Sequence, residues 1–196
     1  MIISVCGKSC SGKTSLCRAI VSILGEDKAV HLDVDEVGHR VLTYPQIVEE
    51  IKTVFGDDVI TSNSVDRVKL GDLIFTSRSD MKQLTNIVWG IMQKEIDEFI
   101  ELNKDKKIIL DWILLPHTKY FSMSDFKILM DGNFKGIRRN RAMKRDGICA
   151  EDFDKRDSAS IEYNWEEFDA EVCDFANSDI ISLARGVLTC MKIKKD

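Results

Sequence analysis

Gly7-Lys8-Ser9-Cys10-Ser11-Gly12-Lys13-Thr14 is a complete G-x-x-x-x-G-K-[ST] run, and it opens directly after the apolar stretch Met1-Ile2-Ile3-Ser4-Val5-Cys6. Such a run is built to cradle phosphates. A triphosphate is gripped mainly by backbone N–H groups, which needs residues without a Cβ where the chain comes close, and Gly7 and Gly12 supply them. Lys13 then reaches the outer phosphates, the Thr14 hydroxyl is placed to ligate Mg²⁺, and the positive end of the following helix adds its field. Leu16, Ala19, Ile20, Ile23 and Leu24 recur at helical spacing after Thr14, so the run sits between a strand and a helix, unlike an ordinary Gly/Ser turn. Every position from Gly7 to Thr14 is therefore an expected nucleotide contact. Lys13 is expected to face solvent until phosphate arrives.

Working outward, Ala29–Asp33, Lys107–Asp111 and Phe126–Met130 read as further strands. Each is a continuous apolar run, as strands buried on both faces of a parallel sheet are. Helical patterns lie between them, at Pro45 to Phe55 and Asp80 to Leu102. The alternation predicts an α/β fold: three layers around a central parallel sheet, of the P-loop NTPase type. Residues 45 to 105 carry helices and a turn at Gly56-Asp57-Asp58 but no convincing strand, so they read as an inserted helical subdomain. A last strand is expected near Glu171 to Phe175 and a helix from Ser178 to Met191.

The chain has 196 residues, 44% of them hydrophobic, and a formal net charge of −5. That suits one domain with a sizeable core and argues against a general nucleic-acid or membrane-surface binder, which would need a basic excess. With no spanning-length apolar stretch and no signal-peptide pattern at the N-terminus, a cytoplasmic enzyme is the expectation, and its size and charge are compatible with a monomer. The six cysteines show no C-x-x-C pairing. They read as thiols rather than a zinc set.

Three groups outside the loop could carry chemistry. Asp33 and Asp35 flank Val34 at the end of the second strand, where such sheets present residues to a ligand. One of them can act as base for an acceptor hydroxyl and help hold the Mg²⁺ shell, or either can cap the helix expected near Glu36. Asp111 ends a strand and can position metal-bound water or simply end a turn. From Lys135 to Arg145 there are six basic residues and no acid. Arg138, Arg141 and Arg145 share one helical face and are the candidates for phosphate, whereas Lys135 and Arg139 read as solvated. His31, His39 and His117 are isolated and read as structural, and Trp89, Trp112 and Trp165 as packing, with Trp112 beside Asp111.

The order of these pieces resembles the dephospho-CoA kinase family over most of the chain, to about residue 177. The resemblance rests on Asp33-Val34-Asp35, on Val65-Asp66-Arg67 with Leu70 and Ile74-Phe75, on Leu110-Asp111-Trp112-Ile113-Leu114-Leu115, and on Arg141 with Arg145-Asp146-Gly147. It implies ATP and Mg²⁺, with transfer to the ribose 3′-hydroxyl of dephospho-CoA. Asp35 would be the base and share the metal with Thr14; Asp33, Arg67 and Asp111 would border the acceptor. Arg141 and Arg145 would face the ATP phosphates beside a lid at about 140 to 165, Asn177 would border the adenine, and the helical insertion would bind the acceptor.

The chain departs from the family pattern in places. Lys8 stands where a glycine is usual, Trp89-Gly90 replaces a histidine-proline pair, and Ile113 replaces a proline. The lid stretch Ser158 to Trp165 has none of the usual arginines. These changes keep two other readings open: a related kinase with another nucleotide or small-metabolite acceptor, and a nucleotide-binding protein without catalysis.

Overall fold

The structure is a computed structural model that describes residues 1–74, 77–131, 135–173 and 179–193. In chain order its strands are β1 (Ile2–Cys6), β2 (Ala29–Asp33), β3 (Ile60–Thr61), β4 (Ser64–Val65), β5 (Lys107–Asp111), β6 (Phe126–Asp131) and β7 (Ala170–Cys173). Its helices are α1 (Lys13–Leu24), α2 (Val34–Val41), α3 (Pro45–Phe55), α4 (Arg67–Ile74), α5 (Arg78–Leu102), α6 (Lys119–Met123), α7 (Lys135–Asp146), α8 (Ala150–Ser158) and α9 (Ile180–Ile193).

Two compact units result. The first comprises Met1–Asp33 and Asn103–Asp196. Its sheet has the order β2-β5-β1-β6-β7, with every pairing parallel. β1 is central, and Ile3, Val5 and Cys6 have no exposed surface, which is why it reads as an unbroken apolar run. Leu16, Cys17 and Ile20 from α1 and Ala184, Val187 and Met191 from α9 complete the core against Ile3, Val5, Ile128 and Met130. Each such aliphatic side chain stabilises the fold by about 1.5–3 kcal/mol. The packing holds the end of β1 and the start of α1 rigidly, and the loop between them inherits that rigidity.

The second unit is Val34–Leu102. α5 packs against α2, α3 and α4, with Val37, Val41, Ile47, Ile51, Leu70, Met92 and Ile96 buried. α2 begins at Val34, earlier than the expected start near Glu36, because Asp35 and Glu36 occupy its first turn where the helix dipole favours acids. The unit also contains a hairpin, β3 with β4 antiparallel. Its turn residues Ser62 and Asn63 have φ of 52° and 60°, the left-handed pair that a two-residue hairpin requires. Two-residue strands carry no alternation, so no strand is legible there.

β7 starts one residue before the expected strand and runs to Cys173; residues 174–178 lie outside the described residues. Among the described residues, no helix is long and apolar enough to cross a membrane.

Candidate active site

The phosphate loop has the backbone that its glycines predict. Gly7 has φ of 146°, and a Cβ there would lie 2.4 Å from the Met130 carbonyl oxygen. Gly12 is left-handed, φ 101°, at the N-cap of α1. Cys10 is left-handed too, φ 60°, a conformation uncommon for a residue with a Cβ. Lys13 corrects one expectation. It is only 8% exposed, and its ammonium donates to the Lys8 carbonyl at 3.3 Å. The loop's own backbone thus supplies its acceptor.

At the other side of Lys13, the Thr14 hydroxyl donates to Asp111 Oδ2 at 2.6 Å. Asp111 is 2% exposed and stands in register with Asp33 on the adjoining strand, so two strand ends deliver carboxylates to one edge. Asp111 thus does more than close a turn: it orients the hydroxyl that follows the loop lysine. Oxygen donors of this kind suit a hard cation such as Mg²⁺. His31 Nε2 lies 3.6 Å from the same Asp111 oxygen, too far for a hydrogen bond. The thiols of Cys6 and Cys17 are held protonated by burial, each with a pKa pushed far above its usual value.

The first half of the loop is tied to the far end of the chain. Arg138 donates to the Ser9 carbonyl at 3.4 Å and, through both terminal nitrogens, to Asp157 at 2.5 and 3.2 Å. Those hydrogen bonds hold the Asp157 carboxyl below the ordinary aspartate value despite its burial. Arg141 donates to the Cys10 carbonyl at 3.3 Å. Arg145, 63% exposed, forms a fork with its neighbour Asp146 at 2.6 and 2.9 Å. Lys135 and Arg139 pair with Asp154. Of the shared arginine face, then, Arg138 and Arg141 touch the phosphate loop through hydrogen bonds to its carbonyls, and Arg145 is engaged with Asp146.

Glu162 and Tyr163 complete this side. Lys8 pairs with Glu162 at 2.7 Å. The Gly7 N–H donates to the Tyr163 hydroxyl at 3.1 Å, and that hydroxyl donates to the Ile113 carbonyl at 2.9 Å. A cavity of about 290 Å³ opens here, lined by Lys8, Met130, Arg138, Glu162, Tyr163 and Trp165 among others. Trp165 is 67% exposed, so it is no packing residue. Sequence reasoning missed Asp157, Glu162 and Tyr163. The cation at Lys8 was the one available signal, since a lysine in place of a loop glycine asks for an anion. Asn177 lies outside the described residues.

In the second unit, Asp35 sits in the first turn of α2 and His39 follows it at i+4, on the same face. Arg67 donates to His39 Nε2 at 2.8 Å. Arg67 is placed by Asp66, whose carboxylate accepts from the Val68 and Lys69 N–H groups and so caps α4. Those bonds, the one from Lys69 first, lower the Asp66 pKa. His39, read as structural, thus accepts from the acceptor candidate Arg67 through one ring nitrogen, while its other lies 3.6 Å from Glu36. Nearby, Glu95 accepts from Arg40 and from Tyr44. Burial works against its charge, and those two donors outweigh it, so its pKa is lowered.

A relative named dephospho-CoA kinase in Dehalococcoides mccartyi is 30% identical over 157 residues, covering 76% of this chain and 77% of the relative. One of the same name in Borreliella burgdorferi is 28% identical over 142 residues, covering 72% of this chain and 66% of the relative, just under two thirds of its length. The solved structure of a dephospho-CoA kinase from Campylobacter jejuni superposes with a TM-score of 0.65 at 15% identity, covering 100% of this chain and 98% of that one, which speaks to the fold alone. The sequence profile of the family described as Dephospho-CoA kinase matches residues 1–173, a span that takes in the phosphate loop, both strand-end acids, Arg67 and the arginine helix. By that match, the chain belongs to the dephospho-CoA kinase family.

Proposed function

We propose that this protein transfers the γ-phosphoryl group of ATP to the ribose 3′-hydroxyl of dephospho-CoA, giving ADP and coenzyme A. The observation that carries the reading is the bond from Thr14 to the buried Asp111 at the mouth of the phosphate loop, within a chain of this family. Little covalent work falls to the protein in phosphoryl transfer, so catalysis is positioning and charge stabilisation. The loop amides and Lys13 hold the triphosphate. Arg138 and Arg141 fix the loop's carbonyls so that its N–H groups stay aimed inward, and Arg141 and Arg145 are candidates to face the phosphates. Asp35 takes the proton of the acceptor hydroxyl. Mg²⁺, when bound, neutralises phosphate charge; Thr14 and Asp35 would hold it, with Asp111 steadying Thr14.

The helical second unit supplies the acceptor site in this reading, through Arg67 and the α2 face that carries Asp35 and His39. The adenine of ATP would lie in the direction of Asn177. The test is ADP release by the purified protein with Mg-ATP, comparing dephospho-CoA with AMP, CMP and pantothenate. Stimulation by dephospho-CoA alone, with coenzyme A as product, is expected. An Asp35→Asn variant should bind ATP normally and lose about 10²–10⁴ in kcat. Stimulation by another of these acceptors would instead support a related kinase, the reading that Trp89-Gly90 in α5 motivates. ATP binding without turnover of any acceptor would favour the non-catalytic reading.

A further inference from the structure

Cys17, His31 and Asp111 each turn one donor atom toward the same point. The Cys17 Sγ, a His31 ring nitrogen and an Asp111 carboxylate oxygen all lie within 4.8 Å of one another. The three come from separate elements, α1, β2 and β5, so no local turn brings them together by default. His31 Nε2 is buried and has no hydrogen-bond partner among the described residues, and buried polar atoms are rarely left so. Its nearest acceptor, Asp111 Oδ2, is 3.6 Å away.

That spacing fits a metal. Bonds of ~2.0–2.3 Å in tetrahedral geometry set donor atoms ~3.3–3.8 Å apart. The His31 to Asp111 distance already matches, and the thiol needs a shift of at most about 1 Å to match as well by the same geometry. A thiolate, an imidazole and a carboxylate are a borderline-soft set. Mg²⁺ and Ca²⁺ take all-oxygen shells, whereas Zn²⁺ and its neighbours take this one. Three protein ligands would leave a fourth position for water. An opening of about 250 Å³, lined by Arg18, Val21, Ser22, Glu26 and His31, borders the imidazole.

We propose that Cys17, His31 and Asp111 form a site for a borderline-soft divalent cation, Zn²⁺ by donor chemistry, beneath the phosphate loop. Binding forms the metal–sulfur bond as the Cys17 thiol proton leaves to solvent, and the imidazole binds neutral. The carboxylate that the ion engages is the one that accepts from Thr14. The site and Thr14 therefore share one carboxylate.

The experiment is a Co²⁺ titration of the chelator-treated, full-length protein in excess Mg²⁺, read by absorption. One equivalent should bind with tetrahedral ligand-field bands and a thiolate-to-cobalt charge-transfer band. Cys17→Ser should abolish the charge-transfer band. His31→Gln should weaken binding by more than the ~10–100-fold that loss of an outer-shell partner costs. Should Cys17→Ser fail to fold, the His31 arm decides together with thermal unfolding, because Zn²⁺ should raise the Tm of the wild type and not that of His31→Gln. A charge-transfer band that persists in Cys17→Ser would place the metal on another cysteine and overturn the proposal. So would equal affinity, or an equal Tm shift, in wild type and His31→Gln.

Discussion

The two ends of the phosphate loop are held by opposite means. Its C-terminal end is fixed by the start of α1, where Lys13 is buried, and by Asp111 from the adjoining strand, to which Thr14 is bonded at 2.6 Å. Its N-terminal end, Gly7 to Cys10, is gripped by side chains from the far end of the chain: Arg138, Arg141, Glu162 and Tyr163. One end is part of the core. The other is a set of polar contacts made by a segment of helices and loop with far less apolar packing, and segments of that kind open at low cost. The difference teaches that the phosphate grip and the loop's access can be altered separately, and substitutions at the two ends should therefore fail in different ways.

The largest effect belongs to the core end. Lys13→Ala should lower kcat/KM for ATP by roughly 10⁴, the scale on which a cation at transferring phosphates acts, while Tm changes by only a few degrees. The lysine's one bond to the Lys8 carbonyl carries little of the fold, so a large loss of Tm instead would erase the distinction between the two ends. Arg138→Met is the counterpart on the other side. It strips Asp157 of its partner in a pair whose side chains are 8% and 9% exposed. Breaking such a pair costs about 3 kcal/mol, or a fall in Tm of roughly 6–12 °C at this chain length. Arg138→Met with Asp157→Leu should recover most of it.

The pair also sets an acid limb. Because Arg138 depresses the folded Asp157 pKa, the carboxylate's contribution is complete above its unfolded value of about 3.9 and fades as pH falls through the lower folded value. Urea midpoints compared between about pH 6 and pH 3 should thus converge for wild type and Arg138→Met at the acid end, on this linkage. Midpoints that stay parallel would mean that the pair does not titrate with folding.

How much of this was legible follows the same division. The core end is local in sequence: a strand, an octapeptide, a helix, and an acid at the end of another apolar run. Strands β2 and β5 and helix α3 begin and end where the residues predict. The Lys13 burial was not legible, because the acceptor that goes with it is the Lys8 carbonyl, a backbone group that no side-chain pattern encodes. The contacts at the loop's N-terminal end span 129 to 156 residues of chain, and no periodicity encodes a partner so distant. Arg138 illustrates this. Its helical face was readable, but whether it met phosphate or Asp157 was not, since both are anions. His31 and His39 look isolated for the same reason: the groups that approach them, Asp111 at 3.6 Å and Arg67 at 2.8 Å, come from other elements.

Tyr163→Phe is the finer probe of the grip. It removes the hydroxyl that links the Gly7 N–H to the Ile113 carbonyl and leaves both backbone groups to water. A net loss of about 1 kcal/mol per hydrogen bond is typical. Stability should fall by that order, with the KM for ATP rising several-fold and kcat held. A loss confined to kcat would instead put Tyr163 in the chemistry.

The smallest effect should come from Glu162→Gln, and its sign is what matters. Lys8 and Glu162 are 25% and 85% exposed, so the pair contributes at most about 1 kcal/mol to stability. The same carboxylate, however, competes with ATP for the ammonium of Lys8, a cation that sits inside the phosphate loop. Removing it should lower the KM for ATP by about two- to fourfold at low ionic strength, the kinetic equivalent of an exposed pair, and the gain should vanish as salt screens the field. A raised KM would mean that Glu162 organises the loop rather than occupying its cation, and the loop's N-terminal end would then resemble the core end more than its exposure suggests.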